Sequence, residues 1–286
     1  MTESFSARSL LANLLREGLR RCALGLITIA ALWCLLAPAS SRAGDLDFPT
    51  TDFTLRSADG EHIIGHAHFG VATDTGGLTT IRGEYRYLNG TYDIDQSTVR
   101  PGVGGNLPTL VRTDHSFFLA NGSLDRESHI EFVEGTGACT VYVNGKPQVS
   151  SAKFDFPADT FAGDTVILPL RRYVAAGGKG SLTFHVFNCI PGPKLLKVTA
   201  SASAPAPWNY YPGNLIQVDV KPDFGWINLV IAPFLPQIRA WFDPSDDSFF
   251  VGGETARYYK GLKYMMVRVG PGNAEIKAAT ASPSSP

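Results

Sequence analysis

The sequence predicts a mainly β fold, a curved antiparallel sheet or half-open β-barrel with one or two short helices. Three observations predict it. Tight-turn dipeptides recur between runs rich in β-branched and aromatic residues. Later runs alternate apolar and polar residues with a period of two. One short apolar run in mid-chain ends in a glycine pair and breaks that pattern.

The turns come first along the chain. Asp59-Gly60, Gly76-Gly77, Asn89-Gly90, Asn121-Gly122 and Asn144-Gly145 each separate two strand-like runs. Asn-Gly and Asp-Gly tolerate the positive φ angles of type I′ hairpins, so these pairs predict an antiparallel meander. The stretch "FPADTFAGDTVILPLRRYVAAGGKG" departs from it, and Leu170–Ala176 is predicted to form two helical turns with Gly177 and Gly178 as C-cap. Strands resume in "SLTFHVFNCI" and "LLKVTASASA". "APAPWNYYPGN" (204–214) reads as a proline-rich connection. In "LIQVDVKP", Ile216, Val218 and Val220 face one way. In "KYMMVRV", Met265, Val267 and Val269 oppose Tyr264, Met266 and Arg268. Strands buried on one face fit a sheet curved round a core.

The first 43 residues carry an export pattern. Arg16, Arg20 and Arg21 precede the apolar run Cys22–Ala39, and Ser41 and Ala43 fit a small-x-small cleavage site. If the segment stays uncleaved it anchors the chain, and the body is exported all the same. A periplasmic or secreted location is expected. Residues 44–270 are expected to form a single β-rich domain and residues 271–286 a disordered tail. Without the leader, 20 basic and 24 acidic residues remain, a net charge of −4. No basic excess is left to hold nucleic acid. Two cysteines remain, Cys139 and Cys189. In an exported chain an even pair predicts one disulfide; two buried free thiols are the alternative.

Few constellations point to chemistry. His62, His66 and His68 share a strand face, and His66 and His68 at i, i+2 are the metal candidates of a metal-dependent hydrolase reading. The plainer reading puts them on the solvent side of a hairpin. There is no G-x-S-x-G. A cysteine nucleophile would need Cys189 free beside His185. The acids of "GEYRY", "DRESHIEFVE" and "DPSDD" read as solvated faces and turns. No cofactor is implied. Trp208, Tyr210 and Tyr211 would stack on sugars in a carbohydrate-binding module, or plug the open end of the sheet.

The most hydrophobic internal run is "FGWINLVIAPFLPQI", Phe224–Ile238, fifteen residues without a charge. A helix from Phe224 to Ala232, with Asp223 as N-cap, would be about 13 Å long, too short for a bilayer core of about 30 Å. A short helix apolar on most sides is buried against something. It completes a packed core or closes over an apolar ligand.

Several stretches together resemble a known family: "D.V.LPLRRYV" in mid-chain, then "VDVKPDFGWINLVIAPFLP", "AWFDP" and "RYYKGLKYMMV" near the end. The chain resembles an uncharacterised family of exported bacterial β-rich proteins, a domain of unknown function. The resemblance implies a half-barrel loosely like the lipoprotein carriers of the Gram-negative periplasm. The expected role is non-enzymatic binding or carriage of an apolar, lipid-like envelope component, with Trp226, Leu229, Phe234 and Trp241 as ligand-binding residues. A structural or protein-interaction role in envelope assembly is the alternative.

Overall fold

Turn residues let the β-rich runs reverse on themselves, and the result is two runs of mostly antiparallel strands. The structure, a computed structural model, describes residues 51–102, 106–189, 192–223, 238–245, 249–257 and 261–270. All of them belong to one compact unit, Leu46–Pro286. The first half holds β1 (Asp52–Ser57), β2 (Ile63–Thr73), β3 (Thr79–Tyr87), β4 (Tyr92–Arg100), β5 (Thr109–Phe118), β6 (Leu124–Glu131), β7 (Thr136–Val143) and β8 (Lys146–Lys153). A short strand, β9 (Thr160–Phe161), a 3-10 turn (Gly163–Val166) and a helix, α1 (Ile167–Ala175), follow. The second half holds β10 (Ser181–Cys189), β11 (Pro193–Ala202), β12 (Ala206–Trp208), β13 (Tyr211–Pro222), β14 (Ile238–Asp243), β15 (Phe249–Ala256) and β16 (Lys263–Arg268).

The five predicted turns all fall between consecutive strands, but their geometry differs. Asn144 and Gly145 both have positive φ, 52° and 72°, as a two-residue type I′ turn requires. At Asn89-Gly90 only the glycine does, at 83°. There the Asn89 side chain accepts from the backbone N–H and hydroxyl of Thr91, at 3.0 and 2.8 Å. Asn121 does the same with Ser123. A Thr or Ser two residues on thus captures the asparagine side chain as an Asx turn.

The sheet order is β8-β7-β6-β5-β4-β3-β2-β1-β16-β15-β14-β13-β11-β10-β9, with β12 paired to β13 off this path. Two arms therefore meet where β1 pairs antiparallel with β16, Phe53 opposite Arg268 and Ser57 opposite Tyr264. The sheet is antiparallel except for the β9–β10 pair, and it curves without closing into a barrel. Central position buries β16 on both sides: Tyr264, Met265, Met266 and Val267 are all buried, where the alternation predicted one covered face.

The main core lies inside the curve. Phe53, Phe69, Ile81, Phe184, Val218 and Phe242 bring residues of both arms into one cluster. Edge-to-face rings run through it, Phe53 on Phe69 at 5.2 Å and Phe69 on Tyr85 at 5.8 Å. Helix α1 adds Ile167, Leu168, Leu170, Tyr173 and Val174 to the same cluster and packs against β14 and β15. It starts three residues earlier than predicted because Pro169 falls in the first turn, where its missing N–H costs nothing. The glycine cap is as predicted: the N–H groups of Gly177 and Gly178 donate to Val174 and Tyr173.

The free ends of the arms are tied together. Cys139 of β7 and Cys189 of β10 form a disulfide, with Cα atoms 5.9 Å apart. Phe187 and Ile130 pack around it, with Phe154, Phe156 and Phe132. The bond closes a loop of 50 residues, worth about 4 kcal/mol in the chain-entropy account. Replacing both cysteines by serine is expected to lower unfolding stability by about 2–5 kcal/mol, measured by urea titration. A reductant should destabilise the natural chain and leave the double variant unchanged.

Candidate functional site

The inner face of β4 carries an unusual load. Alternation puts Asp93, Asp95, Ser97 and Val99 on one side, and all four are buried. Neighbouring strands bring Tyr85 and Tyr87 from β3 and Thr113, His115 and Phe117 from β5, and across the curve Tyr264 of β16 packs edge-on against Tyr85 and Tyr87. The 3-10 turn, which packs against β3 and β4, brings Asp164. Arg257 reaches in from the end of β15. The result is a polar cluster at one side of an otherwise apolar interior.

Asp93 is well held. Arg257 grips both its oxygens, with Nε 2.9 Å from each, and Tyr87 donates to it at 3.1 Å. The guanidinium also lies over the Tyr87 ring, 4.7 Å from its centre. Burial still outweighs these partners and raises the Asp93 pKa.

Asp95 is held far less. It is fully buried, and among the described residues neither oxygen accepts a hydrogen bond of normal geometry. Ser97 is engaged with Thr113 at 3.0 Å. His115 Nδ1 stands 3.3 Å from Asp95 Oδ2, but burial lowers the His115 pKa to about 3 and keeps the ring neutral. Asp164 accepts from the Tyr85 hydroxyl through Oδ1 while its Oδ2 has no partner. Burial first, with the charge of Asp164 added, holds Asp95 well above the usual carboxyl range. Burial also raises Asp164, to about 7, against the Tyr85 hydrogen bond. Two glycines admit the carboxyls. A Cβ on Gly163, whose φ is +52°, would collide with Asp95, and one on Gly83 would collide with Asp164. The cluster can hold and exchange protons. Among the described residues no group of three His, Cys, Asp or Glu side chains could hold a metal ion.

The sequence-predicted residues lie elsewhere. Trp226, Leu229 and Phe234, with the helix proposed for them, fall outside the described residues. Trp241 is buried, but in a separate cluster with Leu215 and Val251 rather than in the interior. Trp208 stacks on it, centres 4.3 Å apart and planes 8° from parallel, and lies over Gly252. Trp241 therefore does not line the interior, as the sequence led us to expect, because Ala240 and Phe242 on either side of it take the inner positions. Tyr210 caps the β1–β2 turn, donating to the Asp59 carbonyl at 3.1 Å. Trp208 thus covers β14 and β15, and Tyr210 a turn. His66 and His68 alternate with the buried Gly65, Ala67 and Phe69, so they face away from the core, and His68 pairs with Asp52 at 2.7 Å. The disulfide removes the cysteine nucleophile; His185 pairs with Asp159 at 2.8 Å.

No protein-family model matches the chain, and no curated protein is similar to it in sequence. Among solved structures, it is similar to a β-barrel-like protein of the domain of unknown function DUF1849 from Brucella abortus. The two share 10% identity and a TM-score of 0.43, over 77% of this chain and 94% of that one. Among the described residues no helix is long and apolar enough to cross a membrane.

Two expectations follow. Arg257→Ala leaves Asp93 buried without its counter-charge and should cost about 3–5 kcal/mol; adding Asp93→Asn should recover part of the loss, read as a double-mutant cycle. The raised carboxyls bind protons in the fold that the unfolded chain releases. Their stabilisation is full below about pH 4 and is lost as pH rises, through about 7 for Asp164. His115 acts in the opposite sense, below its ordinary value near 6.5. Between pH 6.5 and 8 the urea midpoint should therefore fall, and Asp164→Asn should flatten that fall.

Proposed function

We propose that the chain is an exported, non-catalytic envelope protein with a structural role, contacting a protein partner through the β7–β8 ribbon. One observation carries this reading. Every residue of β8, Lys146–Lys153, is exposed, and the strand ends the sheet. An unpaired edge presents backbone donors and acceptors on which a further strand can add. Val149 is 65% exposed. Register places it opposite Thr140, whereas Val141 and Val143, also exposed, share the strand face of Cys139. Apolar groups thus stand on both faces of the ribbon. Its root is fixed by the disulfide, a bond that persists in oxidising compartments and fits export.

A second reading is carriage of an apolar envelope component such as a lipid. It is favoured by the two ends of the uncharged run: Val220 shortly before it and Ile238, its last residue, both pack into the interior cluster. The run would then bring Trp226, Leu229 and Phe234 to the ligand.

A photo-crosslinking residue at position 149, in cells, should trap a discrete protein, whereas one at Leu88, a residue as exposed at the β3–β4 turn, should not. Equal labelling from both positions, or none from 149, would contradict the interaction reading. Native mass spectrometry of gently extracted protein separates the second reading: a bound acyl species supports it, and its absence counts against it.

A further inference from the structure

The stretch from Thr160 to Ala175 connects parts of the sheet that are far apart along the strand order. It begins paired to β10, where Phe161 enters the core, continues as the 3-10 turn against β3 and β4, and returns as α1 against β14 and β15. Where it crosses β4, it sets one carboxyl, Asp164, beside another, Asp95.

We propose that Asp95 and Asp164 form a proton-held latch between the inner wall of the sheet and the segment Thr160–Ala175. The latch is closed while the pair keeps at least one proton and loosens when both carboxyls ionise. The geometry is specific to these two groups. Gly163 and Gly83 lie where any larger residue would strike the carboxyls. Among the described residues Asp164 Oδ2 has no hydrogen-bond partner, and the Asp95 oxygens accept no bond of normal geometry: the Asp164 backbone N–H and Ser97 only partly offset the burial of a side chain that is 1% exposed. Two negative charges there would be desolvated and mutually repelling, and one proton removes the conflict.

Among the described residues no facing group supplies the missing positive charge. From β4, Asp93 is itself an acid, and Arg257 is bound to it. From β5, His115 is neutral and Thr113 bonds to Ser97. Tyr85 from β3 and Tyr264 from β16 are both pushed above the usual phenol range by burial, so they stay neutral. Asp114, on the other face of β5, adds further negative potential. The Tyr85–Asp164 hydrogen bond and the apolar contacts of Phe161, Leu170 and Val174 keep the segment docked when the pair is protonated. Loss of the last proton therefore loosens the segment locally, which opens the interior to solvent beside β3 and β4.

Hydrogen exchange read by mass spectrometry on the whole protein tests this from pH 7 to 9, with rates corrected for the intrinsic effect of pH. That window lies above the ordinary range of His115. Exchange in the peptide covering 163–176 should rise about tenfold or more in the natural protein. It should stay level in D95N/D164N, where the side-chain amide at position 164 still offers an oxygen to Tyr85. D95N and D164N alone should lie between, and they decide the matter if the double variant does not fold. A level natural profile, or an equal rise in the double variant, would overturn the latch. So would an equal rise in β1 and β2, which would mean global loosening.

Discussion

The ladder between β1 and β16 is the pairing on which the two arms of this fold depend. In each arm, strands pair mostly with their neighbours in sequence, through short turns that close cheaply. The β1–β16 ladder instead brings Phe53 opposite Arg268 and Leu55 opposite Met266, from opposite ends of the described chain. Without it each arm would show another open edge and half of the aromatic core. Phe53 of β1 touches Phe250 of β15, with ring centres 5.7 Å apart, so the packing crosses the junction as well. Such a long-range contact is slow to form and is rewarded only when both arms are in place.

The far ends of the arms face the opposite problem. They are tied by side chains: Cys139 to Cys189, with Phe154 and Phe187 edge-to-face at 5.6 Å. β8 is left as an exposed edge, guarded by Lys146, Pro147 and Lys153, residues that discourage unplanned strand addition. Helix α1 then fills the concavity. The apolar interior and the acid pair beneath the 3-10 turn thus arise from one arrangement: a connection between arms that must cross the inside of the sheet.

Much of this frame was legible in the sequence. Five turn dipeptides located the hairpins, the glycine pair located the helix end, and the even cysteine count gave the disulfide. The inner and outer faces were harder to assign. In "YDIDQSTVR" a period of two divides Asp93, Asp95 and Ser97 from Tyr92, Ile94 and Gln96, but it does not say which set points inward. Hydrophobicity favours Ile94, yet the structure buries the acids. The reason lies far away in sequence, in Arg257 and in the turn that carries Asp164. The available signal was the pairing of this acidic strand with "GEYRY", whose tyrosines at 85 and 87 supply the hydroxyls. The face that Trp241 takes was hidden for a related reason: its outer partner, Trp208, sits on a three-residue strand within the proline-rich connection.

A split chain tests the central claim, that one ladder joins the arms into a single folding unit. The β-rich body, residues 44–270, would be produced as two pieces cut between Lys153 and Pro157, under oxidising conditions and then with the disulfide reduced. The halves are expected to remain a one-to-one complex after reduction and to unfold in one cooperative transition. Two halves that separate on reduction, each folded on its own, would contradict it.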